Sequence, residues 1–260
     1  MRVSRYPRCL ALAACALLLT ACARPPEPIG LTVIIARNSA ATGSGQAIQS
    51  MEVDLAMQDG DSTFDAIYRV TRDGHMRIDI IDHGQRIYTE AYDGHAGWDQ
   101  GKDGKAPFPD PHGEALWHGT QYPGNIFGLE DMQKNGHTLQ YMGRETVDGV
   151  DYYVIKLTLS DGFETYRYVN PQSWLIERSR DFRAFHPAVD GKQTWVETRW
   201  SDFRPVAGVM RAFTSVNTDL VSGKQLASQR VTAYKINPGS IPRYSWRPAH
   251  RPIYRPSSAA

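Results

Sequence analysis

Four side chains suited to metal binding or acid–base chemistry lie close together in the sequence, namely Asp110, His112, Glu114 and His118. Carboxylates and imidazoles are common zinc ligands and common general acids and bases. Their spacing, however, matches neither the tight, repeated spacing of structural zinc sites nor the HExxH pattern of zinc proteases. We therefore interpret them as polar residues of a surface loop. The sequence predicts no metal site, no catalytic residue and no cofactor.

The first 21 residues have the pattern of an export signal. Arg2, Arg5 and Arg8 precede an apolar run at 10–20, whose end overlaps the junction Leu19-Thr20-Ala21-Cys22. The run is too short to span a bilayer, which requires about 20 residues. We predict that residues 1–21 are a signal peptide.

The junction resembles the lipobox of bacterial lipoproteins. The resemblance implies cleavage before Cys22, lipidation of its thiol and amine, and a membrane partner held through that residue. Ala23 stands where an Asp would mark inner-membrane retention, which implies delivery to the outer membrane, facing the periplasm. Several acyl chains together hold a protein stably at a membrane. Residues 22–29 are then a lipid-anchored, proline-rich tether. The alternative is an ordinary signal peptide with a chance cysteine.

Cysteine content and charge exclude several classes of function. Once Cys9 and Cys15 leave with the signal and Cys22 is lipidated, no cysteine remains for a disulfide, a redox motif or a nucleophile. The signal contains three of the 29 Lys and Arg and none of the 28 Asp and Glu, so the rest has 26 against 28, a net charge of −2. This balance argues against a nucleic-acid partner. Residues 243–260, with four Arg and no acid, predict a flexible basic tail that is either solvated or in contact with anionic headgroups.

Most of the remaining chain predicts β-strands. Apolar and polar residues alternate in four runs between residues 51 and 92, in five or six runs between 143 and 213, and in final strands at 209–218 and 226–235. Asp-Gly pairs at 148–149, 161–162 and 190–191 are typical of hairpin turns. Shorter segments at 31–50, with a break at Gly43, and at 125–135 predict helices. Residues 30–242 are therefore expected to form one domain.

Two strand faces are candidates for a ligand-cavity lining. Their residues are apolar, several are the adaptable side chain methionine, and all alternate with polar neighbours. The candidates are Met51, Val53, Leu55, Met57, Met76, Ile78 and Ile80. The competing interpretation is that these faces pack as ordinary core.

The segment 98–124 interrupts the strand pattern. It is rich in Gly and Pro and contains four aromatic residues, Trp98, Phe108, Trp117 and Tyr122. Long loops inside a compact domain are usually functional or mobile. We interpret the segment either as an aromatic lid over a cavity or as a surface excursion held in place by its aromatic residues.

Several segments resemble the LolA/LolB-like periplasmic lipoprotein-sorting superfamily. They are ETVDGVDYYVIKL at 145–157, the strand pair around Asn170-Pro171, SDFRPVAGVM at 201–210, and YDGHAGW at 92–98. The resemblance implies a mainly β fold, an antiparallel and incompletely closed half-barrel with a few short covering helices. It also implies binding of acyl chains of lipids or lipoproteins, without catalysis.

Two alternatives remain beside lipid binding. The first is an envelope interaction or regulatory lipoprotein of the same fold, with a filled core and no ligand cavity. The second is an envelope hydrolase, which requires an acid–base or metal set that is assembled only in three dimensions.

Overall fold

The computed structural model describes residues 29–43, 48–102, 108–110, 113–187 and 189–238. The described residues contain helices α1 (Leu31–Thr42) and α2 (Gly113–Gln121) and a 3₁₀ turn (Leu129–Asp131). The strands are β1 (Ser50–Asp59), β2 (Ser62–Thr71), β3 (Met76–Asp82), β4 (Gln85–Tyr92), β5 (Gly97–Gly101), β6 (Phe108–Asp110), β7 (Thr138–Val147), β8 (Val150–Thr158), β9 (Glu164–Val169), β10 (Ile176–Ala184), β11 (Gln193–Val206), β12 (Val209–Asp219) and β13 (Gln225–Ile236). Within these ranges, no helix combines the length and apolar character needed to cross a membrane.

All these strands form one sheet, in the order β6-β5-β4-β3-β2-β1-β13-β12-β11-β10-β9-β8-β7. Two antiparallel meanders are joined in the middle, where β1 pairs with β13 and Val53 lies opposite Tyr234. β6 and β7 are the two edges, so the sheet does not close into a barrel over the described ranges. The predicted fold class, mainly β, antiparallel and incompletely closed, is confirmed.

The turn at Asp148-Gly149 has the geometry that the Asp-Gly pair predicted for a β-hairpin. Asp148 and Gly149 connect β7 to β8 with φ of 50° and 79°. A type I′ hairpin turn needs positive φ at both central residues, which Asp tolerates and Gly adopts freely. The Asp161-Gly162 turn differs, because Gly162 has positive φ and Asp161 instead accepts the backbone N–H of Phe163 through its carboxylate. The same dipeptide therefore supports two kinds of turn.

Alternation along each strand gives the sheet an inner and an outer face. The inner face carries Met51 and Val53 of β1 and lies beneath α1 and α2. The outer face carries Glu52, Arg69 and Asp79, in which Arg69 forms ion pairs of 2.6 Å with both carboxylates. The two faces thus differ in chemistry, with charged networks on the outside and mainly apolar packing inside.

Helix α1 covers the inner face of β7–β9. Its Ile34 is fully buried in a cluster whose other buried members are Leu129, Met132, Leu139, Tyr153, Ile155, Leu157, Leu159 and Val169. Asn38 adds a hydrogen bond of 2.7 Å from its side-chain amide to the carbonyl of Trp174. The helix ends at Thr42, where Gly43 has φ of 88°. The predicted helix is therefore present as far as the predicted break, and residues 44–47 lie outside the described ranges.

The helix predicted at 125–135 is wrong. The structure has only the 3₁₀ turn there, with the Asp131 carboxylate accepting the N–H of Gly128. The side-chain amide of Asn125, where the helix would begin, donates to the carbonyl of Gly119 at 2.6 Å. Its backbone carbonyl accepts a hydrogen bond from the Arg211 side chain, so both polar groups of the residue are engaged in contacts outside the segment. A tertiary contact thus overrides the local preference.

The segment 98–124 contains more regular structure than the sequence suggested. β5 and β6 extend the meander, since Trp98 pairs with Ala91 of β4. Helix α2 then returns over the inner face of β3–β5. Gly119 of α2 comes so close to the sheet that a Cβ atom there would lie 3.0 Å from the sulfur of Met76. The segment is therefore not a long irregular loop, and its glycine at position 119 allows α2 to pack closely on the sheet.

Candidate ligand cavity

A cavity of about 290 Å³ lies on the inner face where the two meanders meet. Six of the seven predicted lining residues border it, namely Met51, Val53, Leu55, Met57, Met76 and Ile78. They come together because β1, β2 and β3 are neighbours in register, with Met51 opposite Val70 and Val70 opposite Met76. Ile80 follows on the same strand but does not border the cavity.

The other wall of the cavity was not predicted. It is formed by residues of β2 and β11–β13 and by the chain after α2, including Tyr68, Trp200, Ala212, Val231 and Tyr234. Tyr68 lies in one of the four alternating runs predicted between residues 51 and 92, so the sequence predicted its strand but not its place in the cavity wall. The β11–β13 residues are distant in sequence, and only the pairing of β1 with β13 brings them here.

A second cavity of about 120 Å³ adjoins the first, beneath α1. The two cavities share Gly124, Asn125, Trp200 and Ala212 in their walls. Gly124 and Asn125 belong to residues 122–126, which we call the cover segment because they lie over the inner face. The cover segment is therefore part of the wall that the two cavities share.

Two arginines fix the cover segment to the sheet. Arg211 donates from Nη1 to the carbonyl of Gly124 at 2.6 Å and also to the carbonyl of Asn125. Arg72 donates from Nη2 to the carbonyl of Ile126 at 2.8 Å. These donors satisfy carbonyl groups that would otherwise be buried without a partner, which is costly. The cover segment is thus held by polar contacts to its backbone and by the burial of Ile126 in the apolar cluster with Met51 and Val53.

Comparison with known proteins gives matches only among solved structures; no family profile and no curated protein matches the sequence. A LolA superfamily protein from Nitrosomonas europaea is 14% identical, with a TM-score of 0.56 over 85% of this chain and 98% of that chain. A protein from Vibrio parahaemolyticus, described as an outer membrane lipoprotein-sorting protein domain, is 11% identical, with a TM-score of 0.54 over 80% and 92%.

The chain has the LolA fold. A DUF1329 family protein from Desulfovibrio piger is also similar, at 12% identity and a TM-score of 0.53, over 81% of this chain and 93% of that chain. The superfamily resemblance predicted from short turn and strand motifs is thus confirmed at the level of the fold.

The four predicted lid aromatics occupy different places in this LolA fold. Trp117 packs at the edge of the α1 cluster, and Tyr122 begins the cover segment and borders the second cavity. Trp98 lies on the outer face, with its ring centroid 5.8 Å from Cζ of Arg77. Phe108 lies in β6, and its side chain is outside the described part. Only two of the four are therefore placed on the inner side of the sheet.

Sequence reasoning also missed a buried cation on the inner face. Arg167 of β9 is 1% exposed, with Cζ 4.4 Å from the ring centroid of Tyr122 and 5.9 Å from that of Trp200. Burial lowers the pKa of Arg167, and the nearby Asp181 carboxylate opposes that shift. Both aromatic partners border the second cavity, so Arg167 lies directly behind its wall.

The polar cluster at 110–118 is only partly described. His118 places Nε2 2.6 Å from Oδ2 of Asp161 and stacks on Phe163 with ring centroids 4.2 Å apart, so it ties α2 to the β8–β9 turn. The side chains of Asp110 and Glu114, and all of His112, lie outside the described part. Across the residues that are described, no three His, Cys, Asp or Glu side chains form a group able to hold a metal ion.

His137 predicts a pH-dependent stability. Its Nδ1 accepts the N–H of Ser160 at 3.1 Å, and its Nε2 lies 3.1 Å from Oε1 of Gln121, an arrangement that needs the neutral ring. Burial lowers the pKa of His137, with Asp161 opposing. The unfolded chain therefore takes up a proton near pH 6.5 while the folded chain does not, so stability is lost as the pH falls below about 6.5 toward the folded pKa.

We expect the urea midpoint of the wild type to fall more between pH 7.5 and pH 5.5 than that of His137→Asn. His83→Asn is the matched control, because His83 is solvent-exposed with φ of 48°, a conformation that Asn tolerates. This control should follow the wild type. An equal fall in the wild type and His137→Asn would refute the prediction.

Proposed function

We propose that the protein binds acyl chains of lipids or lipoproteins in the cavity on its inner face. We further propose that it does so as a lipoprotein anchored through Cys22 to the outer membrane, facing the periplasm, in lipid or lipoprotein transport or sorting. Residues 1–21 are the proposed signal peptide, 22–29 the tether, 30–242 the binding domain and 243–260 the basic tail. Cys22 and both terminal segments lie outside the described ranges.

The cavity is the observation that carries this proposal. Its volume of about 290 Å³ is close to the lower end of the roughly 300–1,000 Å³ typical of small-molecule sites. One wall is a row of Met, Val and Leu side chains on β1, and methionine adapts its shape to different apolar partners. Burying an acyl chain there contributes roughly 0.8 kcal/mol per CH₂ group. The cavity supports lipid binding over the alternative of a filled core.

The covering elements support the proposal as well. The cover segment and Trp200 form part of the wall between the two cavities, so a long acyl chain reaches both cavities only if this wall moves. Arg211 and Arg72 hold the segment by its backbone. Ile126 is buried in the apolar cluster with Met51 and Val53, so displacement of the segment opens that cluster onto the cavity. The LolA fold, shared with a protein described as lipoprotein-sorting, agrees with such a role.

Native mass spectrometry of the purified protein tests the binding proposal. We expect masses higher than that of the chain by one lipid, and we expect a fluorescent fatty acid to bind and to be displaced by unlabelled fatty acid. A protein that carries no lipid and binds no fatty acid would instead support the interaction or regulatory role.

Anchoring is tested separately by Cys22→Ala. Acylation needs the thiol of this residue, so the variant is expected to lose incorporation of an alkyne-labelled fatty acid and to accumulate as unprocessed precursor. Labelling is followed by gel fluorescence, with Cys15→Ala as the matched control that keeps normal labelling. Equal labelling of Cys22→Ala and the wild type would show that the proposed lipobox is not used.

A further inference from the structure

Arg211 is a buried cation for which the described residues provide no acidic partner. The residue is 4% exposed, and its Nε has no hydrogen-bond partner among the described residues. Its Nη1 donates to two backbone carbonyls of the cover segment. Burial lowers the pKa of the Arg211 guanidinium, and the ionisable groups that act on it are Tyr234, Tyr68 and Arg72, with no carboxylate among them. A buried charge is normally paired, because desolvation is otherwise uncompensated.

Two other buried or half-buried arginines, by contrast, form ion pairs with acidic side chains. Arg178 is 6% exposed and pairs with Glu197 at 2.8 Å and with Asp148. Arg72, beside Arg211, has Nη1 3.8 Å from Oδ2 of Asp131. Arg167 also forms no ion pair in the described part of the chain, but the carboxylate of Asp181 lies near enough to act on its charge. Arg211 lacks even such a nearby carboxylate among the described residues.

A second unsatisfied polar group lies near Arg211. The hydroxyl of Tyr68 is buried and has no hydrogen-bond partner in the described part of the chain, although its residue borders the larger cavity. Burial raises the pKa of the Tyr68 phenol, and the nearby Arg211 charge opposes this shift. The neighbouring Tyr234 is different, because its hydroxyl donates to the carbonyl of Ala212 at 2.8 Å. Tyr68 thus keeps an O–H donor available beside the cation.

We propose that the ligand of this cavity carries an anionic group, a carboxylate or a phosphate, that Arg211 and Tyr68 bind where the two cavities meet. The guanidinium supplies charge-assisted hydrogen bonds and the phenol supplies one more donor. The acyl chain of the same molecule then lies along the Met and Leu side chains of β1. The inference rests on the proposed acyl-chain binding and narrows its ligand class to anionic amphiphiles.

Three ligands with the same chain test the inference: laurate, dodecyl phosphate and dodecanol, measured by displacement of a fluorescent fatty acid from the purified protein at pH 7.5. We expect laurate and dodecyl phosphate to bind at least tenfold more tightly than dodecanol. Inorganic phosphate is expected not to displace the fluorescent fatty acid at concentrations at which dodecyl phosphate displaces it completely. Competition by inorganic phosphate at equal concentration would show a site for free anions and overturn the proposal.

Variants identify the groups responsible. Tyr68→Phe is expected to reduce the preference for laurate over dodecanol at least threefold, and Arg211→Met to remove it. Tyr166→Phe is the matched control, because Tyr166 is on the outer face, and it should keep the wild-type preference. If Arg211→Met fails to fold, Tyr68→Phe, which removes only a hydroxyl group, still tests the inference. The inference is overturned if laurate and dodecanol bind equally, or if Tyr68→Phe keeps the wild-type preference; the proposed function stands in both cases. If none of the three ligands binds, both the inference and the proposed function are overturned.

Discussion

Replacing Ala212 with phenylalanine is expected to weaken fatty-acid binding more than tenfold while leaving the protein folded. Ala212 borders both cavities, so a ring at this position occupies the space in which they meet. Filling existing empty space avoids the overpacking cost of about 1–3 kcal/mol that accompanies insertion into a packed core. The loss of binding is measured by titration with a fluorescent fatty acid, and the fold by circular dichroism and urea unfolding.

The matched control is Ala233→Phe. Ala233 lies on β13, opposite Asp54 of β1, and borders neither cavity. The same substitution on the outer face is expected to leave affinity within about twofold of the wild type. If Ala212→Phe folds and still binds with wild-type affinity, the acyl chain is not in this cavity and the proposed site is wrong.

Ile34→Ala is expected to cause the largest loss of stability among simple truncations of α1. Ile34 is fully buried against the inner face of β7–β9. Truncation of a buried isoleucine to alanine typically costs about 2–5 kcal/mol, because apolar contact is lost and a cavity remains. Urea unfolding monitored by tryptophan fluorescence measures this loss.

Val33→Ala serves as the comparison on the same helix. Val33 is 45% exposed, so its truncation should change the free energy of unfolding by no more than about 0.5 kcal/mol. Similar losses for the two variants would mean that α1 is not docked on the sheet through Ile34. If α1 undocked so easily, the second cavity, which lies beneath this helix, would also be open to water.

The strands could be predicted from the sequence because alternation and turn residues are patterns within a few neighbouring residues. Alternation placed the strands of both meanders except β5 and β6, and Asp148-Gly149 marked a turn whose geometry few other residue pairs accept. It also placed Met51 and Met76 on one face, and the register of β1, β2 and β3 then made them neighbours in the cavity wall.

The remaining parts of the site depend on contacts that leave no local pattern. Trp200, Ala212 and Tyr234 reach the cavity only through the pairing of β1 with β13. Arg211 lies in a predicted strand, and nothing near it in sequence indicates that its side chain faces the interior. Trp98 was assigned to a lid because aromatic residues in a Gly-rich segment look alike, whereas its register with Ala91 sends it to the outer face.

The junction of β1 and β13 also has a consequence for how the molecule folds. Glu52 and Lys235, which form an ion pair across it, are 183 residues apart in the chain. Strands β1–β6 and β7–β12 are each built from sequence neighbours, and such local contacts form quickly, whereas distant pairings form slowly. The cavity has walls from both halves, so it comes into existence only when the last strand is added. A chain released without β13 would contain most of the sheet but no binding site.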